Sequence, residues 1–231
     1  MRDEPFSSQS TYDEPRDYSE HEQYRSFSVP LNGITGGRIQ FERGISNVRI
    51  ATEADMPDLI RARFEGILPR IHADGGEISI RYLHYSLYDW LKSAITWERQ
   101  SARLLLNSAV PWEIAVQGGL SHLQADLRNV KLRSFDVQGG ASSLYVRLGS
   151  PERTTPLRIF GGASHIVVFR PAGVAARLRI HGGVSSVTLD EQHFSAIGGG
   201  TVLNSLDAST QPGRFDVEVY GGASVVTVAT E

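Results

Sequence analysis

Residues 135–148 read Phe-Asp-Val-Gln-Gly-Gly-Ala-Ser-Ser-Leu-Tyr-Val-Arg-Leu, and the phrase Gly-Gly-Ala-Ser at their centre returns along the second half of the chain. Five copies of the phrase place their glycines and their serine at Gly118, Gly119 and Ser121; Gly139, Gly140 and Ser142; Gly161, Gly162 and Ser164; Gly182, Gly183 and Ser185; and Gly221, Gly222 and Ser224. The first four copies begin 21 or 22 residues apart, and the fifth begins 39 residues after the fourth, beyond a degenerate copy at 198–201. Such a fixed period is typical of stacked repeat proteins.

Apolar residues alternate with other residues on both sides of each glycine pair. They lie two and four residues before the first glycine, as Val137 and Phe135 do, and four and six residues after the second, as Leu144 and Val146 do. Alternation with a period of two predicts a strand on each side of the pair. Identical strands stacked about 4.8 Å apart would align these residues into one core. We therefore predict an all-β fold, a single-stranded β-solenoid (β-helix-like) with repeats of 21 or 22 residues.

The glycine pair is predicted to form the corner between the two strands, where φ is positive or the backbone passes close to a neighbour. A valine in place of Gly162 is therefore expected to destabilise the fold strongly, and the serines are expected to form a hydrogen-bonded ladder up the stack. An ordinary antiparallel sandwich with Gly-Gly bulges is the alternative. The equal spacing of the copies favours the solenoid.

One outer position of the repeat carries alternating and like charges. Three residues before the glycine pairs stand Asp136, Arg158, Arg179 and Glu218. If the repeats stack in chain order, Asp136 neighbours Arg158, whereas Arg158 meets Arg179 unfavourably. The chain ends in the last regular repeat, so we also expect an open strand edge at 217–230 that another copy or the N-terminal segment covers.

Composition changes along the chain predict its domain organisation. Residues 1–28 hold seven acidic residues and no apolar segment, which predicts a disordered acidic tail. Residues 29–231 are predicted to be one β-solenoid domain, with degenerate repeats in 29–112 and regular Gly-Gly-x-Ser repeats in 113–231. In the degenerate part, residues 44–50 resemble the regular phrase, 75–80 look like a further glycine corner, 54–64 favour a strand, and 88–93 a short helix or loop covering one end.

Charge and composition exclude several classes of protein. There are 23 basic and 26 acidic residues, a net charge of −3, so no basic stripe for nucleic acid is expected. The chain has no cysteine, which excludes disulfides and thiolate chemistry. No signal peptide and no apolar run of membrane-spanning length is visible. We expect a cytoplasmic protein, with association to the cell surface left open.

The Gly-Gly-Ala-Ser-Ser phrase in a β-only repeat resembles the bacterial adhesin-like domains known as the toast-rack class. The resemblance covers roughly residues 30–231 and is best over 112–231. It implies an architecture and an adhesion-type role, and it carries no catalytic residues. Related Gly-Gly-x-Ser stretches in cell-envelope stress proteins imply a link to the envelope.

Chemistry-bearing residues are few and scattered. His122 and His165 share a register position but lie two repeats apart, too far to share one metal. Asp126, Arg147 and Asp190 also share a register position, and no catalytic or phosphate-binding motif is present. We predict no enzyme, no cofactor and no metal, and a rigid scaffold that binds a protein partner or itself by edge stacking. A carbohydrate- or ligand-binding solenoid, or a carbohydrate-active one, is the alternative.

Overall fold

The computed structural model describes residues 24–82, 101–206 and 212–231. All of the regular secondary structure in these residues is β-strand. In chain order the strands are β1 (Tyr24–Pro30), β2 (Gly37–Glu42), β3 (Ile45–Glu53), β4 (Asp58–Glu65), β5 (Arg70–Asp74), β6 (Glu77–Arg81), β7 (Ser101–Asn107), β8 (Trp112–Gln117), β9 (Leu120–Leu127), β10 (Leu132–Gln138), β11 (Ala141–Leu148), β12 (Thr155–Ile159), β13 (Ala163–Arg170), β14 (Ala175–Ile180), β15 (Val184–Leu189), β16 (Gln192–Ile197), β17 (Thr201–Asn204), β18 (Arg214–Val219) and β19 (Ala223–Thr230). The all-β prediction is confirmed. In these parts of the chain, no helix has the length and apolarity needed to cross a membrane.

The strands form two sheets. Sheet A has the order β1-β4-β7-β3-β9-β11-β13-β19-β15-β16, and sheet B has the order β17-β14-β18-β12-β10-β8-β2-β6-β5. A sheet B strand runs into a glycine corner and continues as a sheet A strand, as β10 continues into β11; we call such a strand pair a rung. From the β8–β9 rung to the β14–β15 rung, neighbouring strands pair in parallel. This parallel pairing excludes the antiparallel sandwich.

The core lies between the two sheets and follows the predicted alternation. The apolar positions two and four before, and four and six after, each of the five glycine pairs are at most 2% exposed. In the degenerate half, Val48 and Ile50 after Gly44 are also buried, so the match of residues 44–50 to the regular phrase is confirmed. The same positions face the core in every rung. The positions between them face outward, and equivalent outward residues of neighbouring rungs form continuous rows across each sheet.

The rungs do not stack in chain order. The last rung, β18–β19, lies between the β12–β13 and β14–β15 rungs in both sheets. Glu218 therefore separates Arg158 from Arg179, and the predicted contact of the two arginines is wrong. Glu218 accepts a hydrogen bond from Arg179 at 2.8 Å, and Arg158 lies 3.3 Å from Asp136. The inserted rung makes the charges of this row alternate.

A second row also matches the inserted rung to its neighbours. The residues directly before the glycine pairs include Phe160, Tyr220 and His181, and insertion places Tyr220 in the middle. Its ring centroid lies 4.7 Å from that of Phe160 and 4.2 Å from that of His181, with nearly parallel planes. An aromatic pair contributes roughly 0.5–1.5 kcal/mol beyond its buried area. Both rows favour the observed stacking order over the order of the chain.

The expected open edge at the C-terminus is wrong, because β19 pairs with β13 on one side and β15 on the other. The ends of the stack are formed by other strands. At one end β16 and β17 pair antiparallel with β15 and β14, and the degenerate copy at 198–200 turns the chain from sheet A back to sheet B. At the other end β4 and β5 pair antiparallel with β7 and β6, and β1 pairs with β4. Each end of the stack therefore carries a rung whose strands run in the opposite direction to those of the neighbouring rung.

Four further expectations for the first half have different outcomes in the structure. Gly75 and Gly76 do not form a corner between sheets; they are the turn of the β5–β6 hairpin, and both have positive φ. Strand β1 begins at Tyr24, so residues 24–28 are not part of a disordered tail. Strand β4 covers most of the segment at 54–64 for which a strand is favoured. Residues 1–23 and 88–93 lie outside the described residues.

The internal position of β19 can be tested with Val225→Pro. Proline removes a backbone N–H donor, and in a strand paired on both sides its acceptor is left unsatisfied, so we expect a loss of about 1–3 kcal/mol or more in the free energy of unfolding. Val225→Thr keeps the N–H and the β-branched shape and should unfold close to the parent. Urea denaturation of the two variants measures the difference, and equal midpoints would contradict the internal position.

Candidate binding face

The first glycines of the repeats form a column along one edge of the two sheets. In spatial order the column contains Gly118, Gly139, Gly161, Gly221 and Gly182, and the backbone of Arg43 and Gly44 lies against Gly118 at its start. A Cβ atom built on Gly161 would overlap the Gly139 carbonyl, and one on Gly221 would overlap the Gly161 carbonyl. Of the five first glycines in the regular copies, only Gly118 and Gly139 have positive φ, so close approach of the backbones is the common requirement.

The second glycines are less restricted, which corrects the expectation for Gly162. A Cβ on Gly162 would have its nearest neighbour, the Gly222 carbonyl oxygen, at 3.7 Å, and the φ of Gly162 is not positive. The second glycines instead accept backbone hydrogen bonds between rungs. Ala141 donates to Gly162 and Ala163 donates to Gly222, both at 2.9 Å.

The serines of the phrase do not form a ladder. Ser142, Ser164, Ser185 and Ser224 are exposed, and Ser121 is half-buried. In the described part of the chain, no hydrogen bond joins one of these hydroxyls to another. The residues of the repeat corner are thus brought into one column, where the glycines contact each other and the serines face solvent.

The difference between the two glycines gives a matched pair of variants. Gly161→Ala places a methyl group against a backbone carbonyl that cannot move alone, and we expect a loss of about 1–3 kcal/mol or more of stability. Gly162→Ala places the same group in ordinary contact and should cost less than about 1 kcal/mol. Thermal or urea unfolding compares them, and equal losses would mean that the close approach at Gly161 is not what requires glycine.

The outer face of sheet B carries charges of alternating sign. Besides the row through Asp136, Arg158, Glu218 and Arg179, a second row pairs Arg177 with Asp216, and Glu42 lies against Arg81. The hydrogen bonds that Arg81 and Ser79 donate to Glu42 lower the pKa of its carboxyl group. Many of the charges on this face are paired with each other, so fewer of them are available to a ligand.

Asp136 is a member of this row whose ionisation is disfavoured by burial. Burial raises the pKa of its carboxyl group, and this effect outweighs the opposite effect of the Arg158 guanidinium. A carboxyl group whose pKa is higher in the folded than in the unfolded state favours folding when protonated, so its contribution to stability is lost as the pH rises through the folded-state pKa.

Asp136→Asn tests this balance. We expect the variant to be at least as stable as the parent near pH 7, and its advantage to shrink as the pH falls to about 4, near the ordinary pKa of aspartate. Urea unfolding at several pH values measures the difference. A variant that is less stable at pH 7, with the gap closing at low pH, would show that the ion pair with Arg158 dominates.

The outer face of sheet A has a different arrangement, in which three arginines lie side by side. Arg103 on β7 is opposite Arg63 on β4 and opposite Arg49 on β3, and all three are exposed. Glu65 is the nearby carboxylate, 3.2 Å from Arg63 and 3.6 Å from Arg103. Arg49 forms no ion pair with a carboxylate of the described residues.

Two hollows lie along this arginine row and share Arg103. One, of about 430 Å³, is lined from β1, β4 and β7 and includes Arg61, Arg63 and Ser26. The other, of about 500 Å³, is lined from β7, β3, β9 and β11 and includes Arg49, Asn47, His122, Gln124, Ser143 and Tyr145. We call the two hollows together the arginine groove.

The structure separates the other candidate residues identified in the sequence. His122 and His165 lie on the outer face of sheet A with Ser143 between them, and the described residues contain no group of three or more metal-ligating side chains. Asp126 lies beside Arg147. Asp190 follows β15, on the far side of the inserted rung, and accepts a hydrogen bond from the buried Arg170 at 2.5 Å. These residues do not converge on one site.

The arginine row was missed in the sequence, because its members come from strands that are not consecutive in the chain. The available signal was the outward register of each strand: Arg49 stands between buried Val48 and Ile50, and Arg103 between Ala102 and Leu104. That register shows that both side chains face outward. It does not show that β3 and β7 are neighbours.

Comparison with known proteins agrees with this architecture. A crystal structure of a "putative cell adhesion protein" from Clostridium sporogenes ATCC 15579 superposes with a TM-score of 0.70 at 18% identity, covering 91% of this chain and 100% of that one. A "putative adhesin" from Bacteroides fragilis NCTC 9343 gives a TM-score of 0.33 at 8% identity, over 92% of this chain and 97% of that one. The first likeness shows a shared fold. No curated protein matches the sequence.

The sequence also matches a known family. Residues 18–169, more than half of the chain, match the N-terminal domain of toast_rack, DUF2154. The match includes the degenerate first half and the copies at Gly118, Gly139 and Gly161, so it reaches further towards the N-terminus than the best part of the resemblance in the sequence. The resemblance is confirmed, and the chain belongs to the toast-rack family.

Proposed function

We propose that this protein is a non-enzymatic interaction module, a rigid β-solenoid with turns of 21 or 22 residues that presents the outer face of sheet A to a partner molecule at the cell envelope. The observation that carries the proposal is the continuity of this face. Its strands are held in fixed register by one core, so each outward row keeps a constant spacing of about 4.8 Å. We further propose that residues from Tyr24 to the C-terminus act as one domain.

The two outer faces support a choice between them. Sheet B pairs many of its outward charges with each other, through contacts such as Arg179 with Glu218. Sheet A leaves Arg49 without a carboxylate partner among the described residues and has hollows in its surface. Unpaired donors in a hollow are more available to a partner than groups already paired with each other. The adhesion description of the similar Clostridium structure is consistent with a binding role.

Binding to isolated bacterial cell envelopes tests the proposal. We expect saturable cosedimentation of the full chain, and hydroxyl-radical footprinting of the bound protein should show protection of Tyr145 and Phe169, which face outward on sheet A. Phe160 and Tyr220, on the outer face of sheet B, are the matched aromatic probes and should stay reactive. Absence of saturable binding, or equal protection of both faces, would contradict it.

Self-association through the end strands is the alternative within the same class of function. Light scattering on the footprinting samples without envelopes distinguishes the two. A monomer at high micromolar concentration supports binding through the face, whereas a dimer or larger species favours pairing through β16, β17, β1 or β5, which form the ends of the two sheets.

A further inference from the structure

We propose that the arginine groove binds a linear acidic polysaccharide, one whose sugar units carry carboxylate groups. The inference rests on the proposed function, because it names the ligand class for the outer face of sheet A. Arg103 and Arg49 would hold a carboxylate of the polymer between them, and Arg63, which Glu65 already contacts, would lie beside the next sugar unit.

The first argument is the charge of the row. Like charges directly opposite each other on neighbouring strands destabilise a sheet, and here Arg103 has an arginine on each side. The outer face of sheet B avoids this arrangement by alternating its charges. A row of like charges that lowers the stability of the free protein is expected where an opposite charge arrives with a ligand.

The second argument is that the groove already holds one carboxylate, between two of its arginines. The side chain of Glu65 places one oxygen 3.2 Å from Arg63 Nε and 3.6 Å from Arg103 Nη1. Guanidinium groups bind carboxylates in a planar, frequently bidentate geometry. The next interval of the row, between Arg103 and Arg49, is likewise flanked by two guanidinium groups, and it holds no carboxylate of the described residues.

The third argument is the shape of the site. The two hollows share Arg103 and together cross six neighbouring strands from β1 to β11. Five strand spacings correspond to about 24 Å. Two adjoining hollows over this distance, with a cationic group on three successive strands, fit an extended polymer with repeating charges better than a single small anion.

The fourth argument is the neutral part of the lining. Asn47, Gln124 and Ser143 offer amide and hydroxyl groups that can both donate and accept, as sugar hydroxyls require. The half-buried ring of Tyr145 supplies an apolar surface with a polar end. A nucleic acid would require a larger number of cationic contacts, and the chain as a whole has a net charge of −3.

Fluorescence anisotropy with labelled polygalacturonate tests the inference on the full chain. We expect binding that weakens with salt and is absent with neutral dextran. In the variant R49Q/R103Q affinity should fall by roughly tenfold or more for each arginine, as expected for lost charge-assisted hydrogen bonds. R158Q and R179Q, which remove paired arginines from sheet B, are the matched controls and should bind like the parent.

Stability separates loss of the site from loss of the fold. Because removal of like charges relieves repulsion, R49Q/R103Q should unfold at a urea concentration equal to or higher than that of the parent. Unchanged binding by this variant, equal binding of dextran, tighter binding of an oligo(dT) probe than of polygalacturonate, or a clear loss of stability in the variant would each overturn the inference.

The result also separates this inference from the proposed function. If polygalacturonate does not bind while envelopes still protect Tyr145 and Phe169, the polysaccharide inference is overturned and the proposed function stands. If polygalacturonate binds through the arginines while envelopes do not bind, the groove is supported and the envelope partner is overturned.

Discussion

The fold depends on the close approach of backbones in the glycine column. Where one rung turns from sheet B to sheet A, its first glycine lies so near the backbone of a neighbouring rung that a side chain cannot fit. The corner therefore acts as a fixed point that sets the position of a rung relative to its neighbours in both sheets at once. The corner also sets the register of the core rows and the outer rows, because residues at the same distance along the chain from their glycine pairs lie in the same row.

The sequence was sufficient to predict the content of each rung. The period of two around Gly139 and Gly140 predicts which residues face the core, and burial follows that pattern in every regular copy. It could not predict the stacking order. The shared register places Arg158, Arg179 and Glu218 in one row, but it does not show in which order they follow each other. Only the contacts between their side chains favour Glu218 in the middle. The hairpin at Gly75 and Gly76 shows the same limit, since a glycine pair suits a tight turn as well as a corner.

The candidate site depends on the same missing information. The outward orientation of Arg49, Arg63 and Arg103 is readable from the alternation around each, but their proximity requires that β4, β7 and β3 be neighbours. The chain visits these strands in a different order. A surface that combines residues from a reversed end rung and from two forward rungs has no compact motif in the sequence. Function on such a face is encoded in the arrangement of strands, and only the scaffold is visible as a repeat.

The insertion of β18–β19 between two earlier rungs has a consequence for biosynthesis. The strands β14 to β17 leave the ribosome before the segment that joins them to the body of the stack. Until the segment 212–231 has been synthesised, the β12–β13 and β14–β15 rungs each present an unpaired parallel edge. A polypeptide cut short by even one rung would keep those edges exposed to proteases and chaperones. Synthesis as far as β19 is thus a condition for closing the stack between these two rungs.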